Sequence, residues 1–130
     1  MIARDAGTPD FSALRRRSRG HEAVLYAFDL IEHDGEDLRA LPLIERKRRL
    51  GRLLGKAGDA IRFVEHLTHD GPIVFEHACR MGLEGIVSKR ADAAYRSGAS
   101  KVWLKSKNSA SEAARRERER EQEWGKPWRR

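Results

Sequence analysis

The sequence predicts an α+β fold, because segments with strand periodicity and segments with helical periodicity follow one another along the chain. Four segments are rich in β-branched and aromatic residues or alternate between apolar and polar ones, and they predict strands at 23–30, 61–65, 85–89 and 102–107. Two segments, which begin at Pro42 and Pro72, have the spacing of helices with one apolar face. At 130 residues the chain has room for one domain with one core.

The first half of the chain is expected to contain a short helix, a strand, a turn and a longer helix. Asp10 can cap the short helix, and the dipeptide Asp34-Gly35 is typical of a hairpin turn. Three consecutive arginines make the short helix strongly basic: Arg15, Arg16 and Arg17. The longer helix, which should end near Gly55 or Gly58, is expected to have an apolar stripe of four leucines: Leu43, Leu50, Leu53 and Leu54.

The second half begins with the helix at 72–81, which should end at Gly82. Three of its residues are expected to point inward: Phe75, Ala78 and Cys79. Two strands follow the helix. Beyond residue 108 the composition becomes almost wholly charged, with Arg and Glu alternating over 115–121. We interpret this segment as a solvated helix, because it has no apolar stripe before Trp124.

The last predicted strand carries two lysines on one face, which points to an anion. Lys105 and Lys107 share their face with Trp103, and Leu104 and Ser106 lie on the other. Like charges about 7 Å apart on one strand face repel each other, and a fold tolerates them when an anion lies between them. A carboxylate before the preceding strand, Glu84, can hold a divalent metal, so the pattern favours a nucleotide site.

Several segments resemble motifs of the covalent nucleotidyltransferases, and specifically of the ATP-dependent DNA ligases of the bacterial end-joining type. Residues 84–90 (Glu-Gly-Ile-Val-Ser-Lys-Arg) resemble motif IV and residues 103–107 (Trp-Leu-Lys-Ser-Lys) resemble motif V. Residues 26–30 (Tyr-Ala-Phe-Asp-Leu), followed by Asp34-Gly35, are similar to motif IIIa. Together with 41–46 and 95–98, the resemblance covers roughly residues 7–108 in the family's order and approximate spacing.

This resemblance implies part of the DNA ligase and mRNA capping enzyme nucleotidyltransferase fold, with antiparallel strands and flanking helices. It also implies ATP and Mg²⁺ as cofactors. Phe28 would stack on adenine, Glu84 would bind the metal, and three lysines would bind phosphate: Lys89, Lys105 and Lys107. Other interpretations stay open: a core position for Phe28, a salt bridge from Glu84 to Lys89 or Arg90, and an edge strand on which lysines block aggregation.

The family's nucleophile is the lysine of a Lys-x-Asp-Gly motif, and this sequence contains no such motif. Glu32 and Thr68 precede the two Asp-Gly dipeptides at the position where the lysine would stand. Residues 7–11 resemble the segment just after the family's Asp-Gly-Glu motif. We therefore expect 1–108 to be the C-terminal part of an adenylation domain, with no catalytic residue assigned and no activity alone. Residues 109–130 are expected to be a charged helical tail in place of the usual OB-fold.

The charge balance favours a polyanionic partner. With 27 Lys and Arg against 20 Asp and Glu, the formal charge is +7, and nicked duplex DNA is the partner that the resemblance implies. Candidate DNA contacts are Arg15, Arg16, Arg17, Arg90 and Arg96, with a further basic run at 46–49. Charged runs are usually solvated faces, and this is the alternative interpretation of each basic run.

A single cysteine excludes an intrachain disulfide, and no apolar run is long enough to span a membrane, so we expect no membrane partner and a cytoplasmic location. Two alternatives to a ligase-related function remain. The chain could be a non-catalytic DNA-binding module, or the C-terminal half of a split ligase that pairs with a polypeptide supplying the N-terminal half.

Overall fold

The computed structural model describes residues 10–16, 20, 22–55, 57–111, 114–116 and 118–120. The helices and strands with described bounds follow in this order: α1 Phe11–Leu14, β1 Leu25–Ala27, β2 Glu32–His33, β3 Glu36–Asp37, α2 Leu43–Leu54, β4 Ile61–Phe63, α3 Gly71–Arg80, β5 Gly85–Lys89 and β6 Trp103–Lys107. The predicted α+β class is confirmed. The chain divides into two compact units: Met1–His66 with Arg90–Ser100 form the first, and Leu67–Lys89 with Lys101–Arg130 form the second.

In the first unit, β1 and β4 pair in parallel, with Leu25 opposite Ile61 and Ala27 opposite Phe63. The expectation of antiparallel strands is wrong for this pair. The physical reason is the connection: α2 lies between the two strands in sequence and packs against β4, so the chain returns in the same direction. The two other described pairs, β2–β3 and β5–β6, are antiparallel as expected.

The hairpin turn predicted at Asp34-Gly35 is confirmed. It connects β2 to β3, and both residues have positive φ, 50° at Asp34 and 78° at Gly35. Two successive positive φ angles are what a tight two-residue hairpin requires, and Asp-Gly adopts them readily.

The buried face of α2 differs from the predicted leucine stripe. Leu43 and Leu50 are buried, but Leu53 is exposed, and Arg46 and Lys47 are buried between the first two leucines. Positions 43, 46, 47 and 50 have the i, i+3, i+4, i+7 spacing of one helix face. The buried face of α2 therefore consists of two leucines and two cationic residues. The basic run at 46–49 is therefore not one solvated face.

The first turn of α2 is held by hydrogen bonds to the segment Arg90–Ser100, which belongs to the same unit. The Leu43 N–H donates to the Ala93 carbonyl at 3.0 Å and the Ile44 N–H to the Ala91 carbonyl at 2.9 Å. The first N–H groups of a helix have no partner within the helix, and Pro42 at the N-cap position contributes no side-chain bond. Residues 91 and 93 therefore serve as the cap.

In the second unit, α3 packs against β5, and β5 pairs with β6. Ala78 of α3 is buried and Phe75 and Cys79 are half-buried, which agrees with the predicted inward face. The helix ends where Gly82 takes a φ of 71°.

Residues 114–116 and 118–120 are helical, and the Ser111 Oγ accepts the Ala114 N–H at 3.2 Å at the start of this segment. Residues 121–130, the rest of the predicted tail, lie outside the described residues, as do Arg17 and residues 7–9. Among the described helices, none is long and apolar enough to cross a membrane.

Candidate functional site

Three lysines lie on one face of the β5–β6 pair. Across the two strands, Gly85 is opposite Lys107, Val87 is opposite Lys105, and Lys89 is opposite Trp103. Directly opposed residues of an antiparallel pair point to the same side, so Lys89, Lys105, Lys107 and Trp103 share a face. We call these four residues the lysine face. The predicted shared face of Trp103, Lys105 and Lys107 is confirmed, and Lys89 is added to it.

The three ammonium groups differ in their surroundings. The Lys89 Nζ lies over the Trp103 ring, 4.1 Å from its centroid. Lys105 and Lys107 are exposed, and Lys105 forms no ion pair within the part of the chain that the structure describes. A face with three cations at strand spacing, two of them exposed, can accept the several negative charges of a polyphosphate.

Glu84 precedes this face, and its backbone is fixed by Asn108. The Asn108 N–H donates to the Glu84 carbonyl at 2.8 Å, and the Asn108 side-chain amide donates to the Leu83 carbonyl at 2.9 Å. Asn108 is buried, whereas Glu84 is exposed and forms no ion pair with any described residue. The alternative salt bridge from Glu84 to Lys89 or Arg90 is therefore not present. No sequence signal separated Asn108 from an ordinary strand end.

Gly85 permits a close approach of two backbones. A Cβ built at this position would lie 2.0 Å from the Ser106 carbonyl oxygen, and the φ of Gly85 is 148°. The absent side chain of Gly85 leaves room for the neighbouring strand, which brings β6 and its lysines against the residue that follows Glu84.

Phe28 belongs to the first unit, directly after β1, and Glu84 and the lysine face belong to the second. The Phe28 side chain is 50% exposed. A fully buried core position for Phe28 is therefore not what the structure shows.

The residue after Phe28 forms a buried ion pair that the sequence analysis did not find. Arg46 is fully buried, and its Nε and Nη2 donate to Asp29 Oδ1 and Oδ2 at 2.8 and 2.9 Å. Its Nη1 donates to the Leu41 carbonyl at 2.6 Å and to the Ala93 carbonyl at 3.3 Å. The signal that could have found it is the position of Arg46 between Leu43 and Leu50 on the apolar helix face.

The buried ammonium group of Lys47, the next residue, also has a hydrogen-bond acceptor. Its Nζ donates to the Val64 carbonyl at 2.7 Å and lies 4.8 Å from the centroid of the Phe63 ring. The basic run at 46–49 was expected to contact DNA or to be a solvated face, and for the buried Lys47 both expectations are wrong. A lysine stem of four carbons can lie along apolar surface when its ammonium group reaches an acceptor, as it does here.

The candidate DNA-contacting arginines that the structure describes differ in their surroundings. Arg15 and Arg16 are exposed, and so is Arg96. Arg90 is held by Asp92, with its Nε 3.0 Å from Oδ1 and its Nη2 2.7 Å from Oδ2, and this pairing lowers the pKa of Asp92. On α2, Arg48 and Arg49 likewise face carboxylates, at Glu45 and Glu36.

Comparison with known proteins identifies the family. A family model described as the ATP dependent DNA ligase domain matches residues 6–107. The chain belongs to this family of ATP-dependent DNA ligases. The multifunctional non-homologous end joining protein LigD of Pseudomonas aeruginosa is 41% identical over 111 residues, which are 82% of this chain and 13% of that protein. The SPbeta prophage-derived DNA ligase-like protein LigB of Bacillus subtilis is 34% identical over 110 residues, 81% of this chain and 40% of that protein.

Solved structures of ligases match the fold as well. The ligase domain of LigD from M. tuberculosis superposes with a TM-score of 0.68 at 30% identity, covering 82% of this chain and 34% of that one. A mycobacterial DNA ligase D complexed with ATP and MES gives a TM-score of 0.69 at 30% identity, with 82% and 35% covered. The predicted family and partial ligase fold are confirmed, and the chain spans about a third of the ligase chains whose structures it matches.

Proposed function

We propose that the chain supplies the phosphate-binding and adenine-binding part of an ATP-dependent DNA ligase that acts in DNA repair or recombination. The family reaction has three steps: adenylylation of a lysine by ATP, transfer of AMP to a DNA 5′-phosphate, and sealing of the nick. The observation that carries the proposal is the lysine face of β5–β6, which follows Glu84 and occurs in a chain of the ligase family. In this proposal residues 1–108 belong to the adenylation domain and 109–130 are a charged tail.

Each candidate residue has one role. Lys105 and Lys107 would contact the α-phosphate and stabilise the charge that develops on it during transfer. Lys89 would contact the same polyphosphate from the neighbouring strand. The half-exposed Phe28 ring would stack on adenine, an interaction worth on the order of 1–3 kcal/mol per base.

The described residues fit a Mg²⁺ ion held jointly by one carboxylate and the phosphates better than a metal ion held by protein side chains alone. In the part of the chain that is described, no three His, Cys, Asp or Glu side chains are grouped closely enough to hold a metal ion. Mg²⁺ is commonly bound by one or two carboxylates together with substrate phosphates, and an exposed Glu84 offers one such carboxylate. The ion would neutralise phosphate charge. Glu84 would orient it.

The nucleophile must come from a segment with a Lys-x-Asp-Gly motif, joined to this chain or on another polypeptide. Exposed apolar residues support such a partner: Leu25 is 62% exposed, and Ile61 opposite it is also exposed. Parallel strands are normally covered on both faces, and a two-stranded sheet is marginal alone. A segment that adds strands to β1 and β4 would cover this surface. We further propose that the substrate is nicked duplex DNA and that the protein acts in the cytoplasm.

Complementation tests the proposal. The purified chain, incubated with Mg²⁺ and α-labelled ATP, should acquire no covalent label, because a phosphoramidate needs a lysine aimed in line at the α-phosphorus. A ligase fragment that carries the Lys-x-Asp-Gly motif should be labelled, or labelled more strongly, when this chain is added. Denaturing electrophoresis resolves the two products.

Variants of Lys105 and Lys107 test whether the increased labelling of the fragment depends on the lysine face. Lys105→Ala/Lys107→Ala should abolish the stimulation, since one such charge-stabilising donor is typically worth about 10²–10³ in rate. Lys101→Ala is the matched control, because Lys101 is an exposed lysine just before β6 and outside the lysine face. Equal stimulation by the double variant and the parent would show that the lysine face does not bind phosphate.

A non-catalytic DNA-binding module is the second candidate, and the exposed Arg15, Arg16 and Arg96 together with the charge of +7 favour it. It predicts binding of duplex DNA with no stimulation of the fragment and no binding of ATP.

A further inference from the structure

A buried ion pair of the first unit lies next to Phe28. The Arg46 side chain is 0% exposed and the Asp29 side chain 6%, and the two are joined by a bidentate pair. The remaining guanidinium nitrogen is taken up by the carbonyls of Leu41 and Ala93. Arg46 therefore fixes Asp29 relative to both α2 and the 90–100 segment.

The Asp29 carboxylate is also tied to its own backbone. Its Oδ1 accepts the Leu30 N–H at 2.8 Å in addition to the Arg46 bond. The adjacent Phe28 is 50% exposed, whereas the Asp29 side chain is only 6% exposed. The buried carboxylate therefore anchors the backbone directly beside the half-exposed ring.

Stability alone does not explain a buried pair of this kind. The cost of removing two charges from water largely cancels their attraction, so a buried ion pair is often replaceable by apolar residues without loss of stability. A bidentate guanidinium–carboxylate pair adds a defined orientation, because two parallel bonds fix the plane of the carboxylate. Orientation of the Asp29 backbone, and hence of Phe28, is the property that an apolar pair would not supply.

We infer that Arg46 is a positioning residue for base recognition: by holding Asp29 in a bidentate pair it sets the direction of the Phe28 ring that stacks on the base. This inference rests on the proposed role of Phe28. Arg46 itself touches neither the nucleotide nor the reacting atoms.

The experiment compares the affinity of the full chain for ATP with its affinity for inorganic tripolyphosphate, which has the phosphates but no base. Arg46→Lys keeps a cation but loses the planar fork of donors. Phe28→Ala and Arg46→Lys should each weaken ATP binding by about 5- to 150-fold, the range of one base–aromatic stack, and leave tripolyphosphate binding unchanged. The double variant should bind ATP no more weakly than Phe28→Ala, because Arg46 acts through that ring.

Lys47→Met is the matched control, since Lys47 is the neighbouring buried cation but donates to Val64 and not to Asp29. It should lower the unfolding temperature and leave the ratio of the two affinities unchanged. If Arg46→Lys weakens both ligands equally, or if its effect adds to that of Phe28→Ala, Arg46 has a structural role only and the inference is wrong. If Phe28→Ala changes nothing, or the parent binds no ATP, the proposed role of Phe28 fails and the inference fails with it.

Discussion

The Lys89 ammonium lies over the Trp103 ring, 4.1 Å from its centroid, and the two residues are directly opposed across β5 and β6. A cation–π contact is worth about 0.5–1 kcal/mol at an exposed site and about 2 kcal/mol when desolvated. It draws the Lys89 charge toward the ring, and so reduces the repulsion among three lysines that share a face. Trp103 thereby becomes a reporter of the state of Lys89.

Lys89→Gln should change the fluorescence of Trp103, because it removes a positive charge from above the indole ring. Tryptophans at 124 and 128 are replaced by phenylalanine in every variant so that Trp103 alone emits. Addition of tripolyphosphate should alter the emission of the parent as Lys89 turns to the anion. Lys101→Gln, which changes an exposed lysine outside the lysine face, should respond as the parent does. An unchanged ligand response in Lys89→Gln would contradict this role.

Gly85→Ala should destabilise the second unit by roughly 3 kcal/mol, the upper part of the range for overpacking. The new methyl group would lie 2.0 Å from the Ser106 carbonyl oxygen, and backbone atoms of β6 cannot give way without breaking the β5–β6 pair. Chemical denaturation measures the loss. Gly71→Ala is the control: apart from its chain neighbours and its own helix backbone, no atom lies within 4 Å of the added methyl group, so the free energy of unfolding should change little. Equal stability of Gly85→Ala and the parent would show that β5 and β6 are not paired at this point.

Arg39 holds the Asp37 carboxylate in its charged form, through two side-chain bonds from Nε and one from Nη2, and lowers the Asp37 pKa from 3.8 to about 2. Because the Asp37 pKa is lower in the folded than in the unfolded state, the ionised carboxylate stabilises the fold at any pH above its unfolded-state pKa. This stabilisation is lost as the pH falls from near 4 to near 2, through the folded-state pKa. NMR titration should give this low pKa in the parent, and Arg39→Gln should return it toward 3.8. Because both groups are exposed, the unfolding temperature at neutral pH should hardly change.

Local patterns in the sequence were sufficient for the turn and for the lysine face. Asp34-Gly35 determines its own backbone angles, and strict alternation placed Lys105 and Lys107 together whatever strand they pair with. The parallel pairing of β1 with β4 was not predictable in this way, because a strand's periodicity does not name its partner. That partner is set by the α2 connection, which packs on β4.

Arg46 and Lys47 show the limit more clearly. Helical spacing identifies the face on which a residue lies. A cationic side chain, however, is buried only where a carboxylate or a carbonyl oxygen accepts its hydrogen bonds. The acceptors here are Asp29 and the Val64 carbonyl, each 17 residues away in sequence. A run of four basic residues therefore reads as a DNA surface, whereas two of the four are internal and the other two face carboxylates.

DNA binding should consequently depend on the arginines that follow α1 and not on those of α2. We expect weak binding without sequence preference, with log K falling as log salt rises through counterion release. Arg15→Gln/Arg16→Gln should reduce the salt slope by about 1 for each arginine that contacts a phosphate, because both side chains are exposed. Arg48→Gln/Arg49→Gln removes the same charge from residues paired with Glu45 and Glu36, and should change the slope less. Titration of duplex DNA at several salt concentrations measures both slopes. An equal reduction by the two double variants would show that the arginines of α2 contact DNA as much as those after α1, and would contradict the prediction.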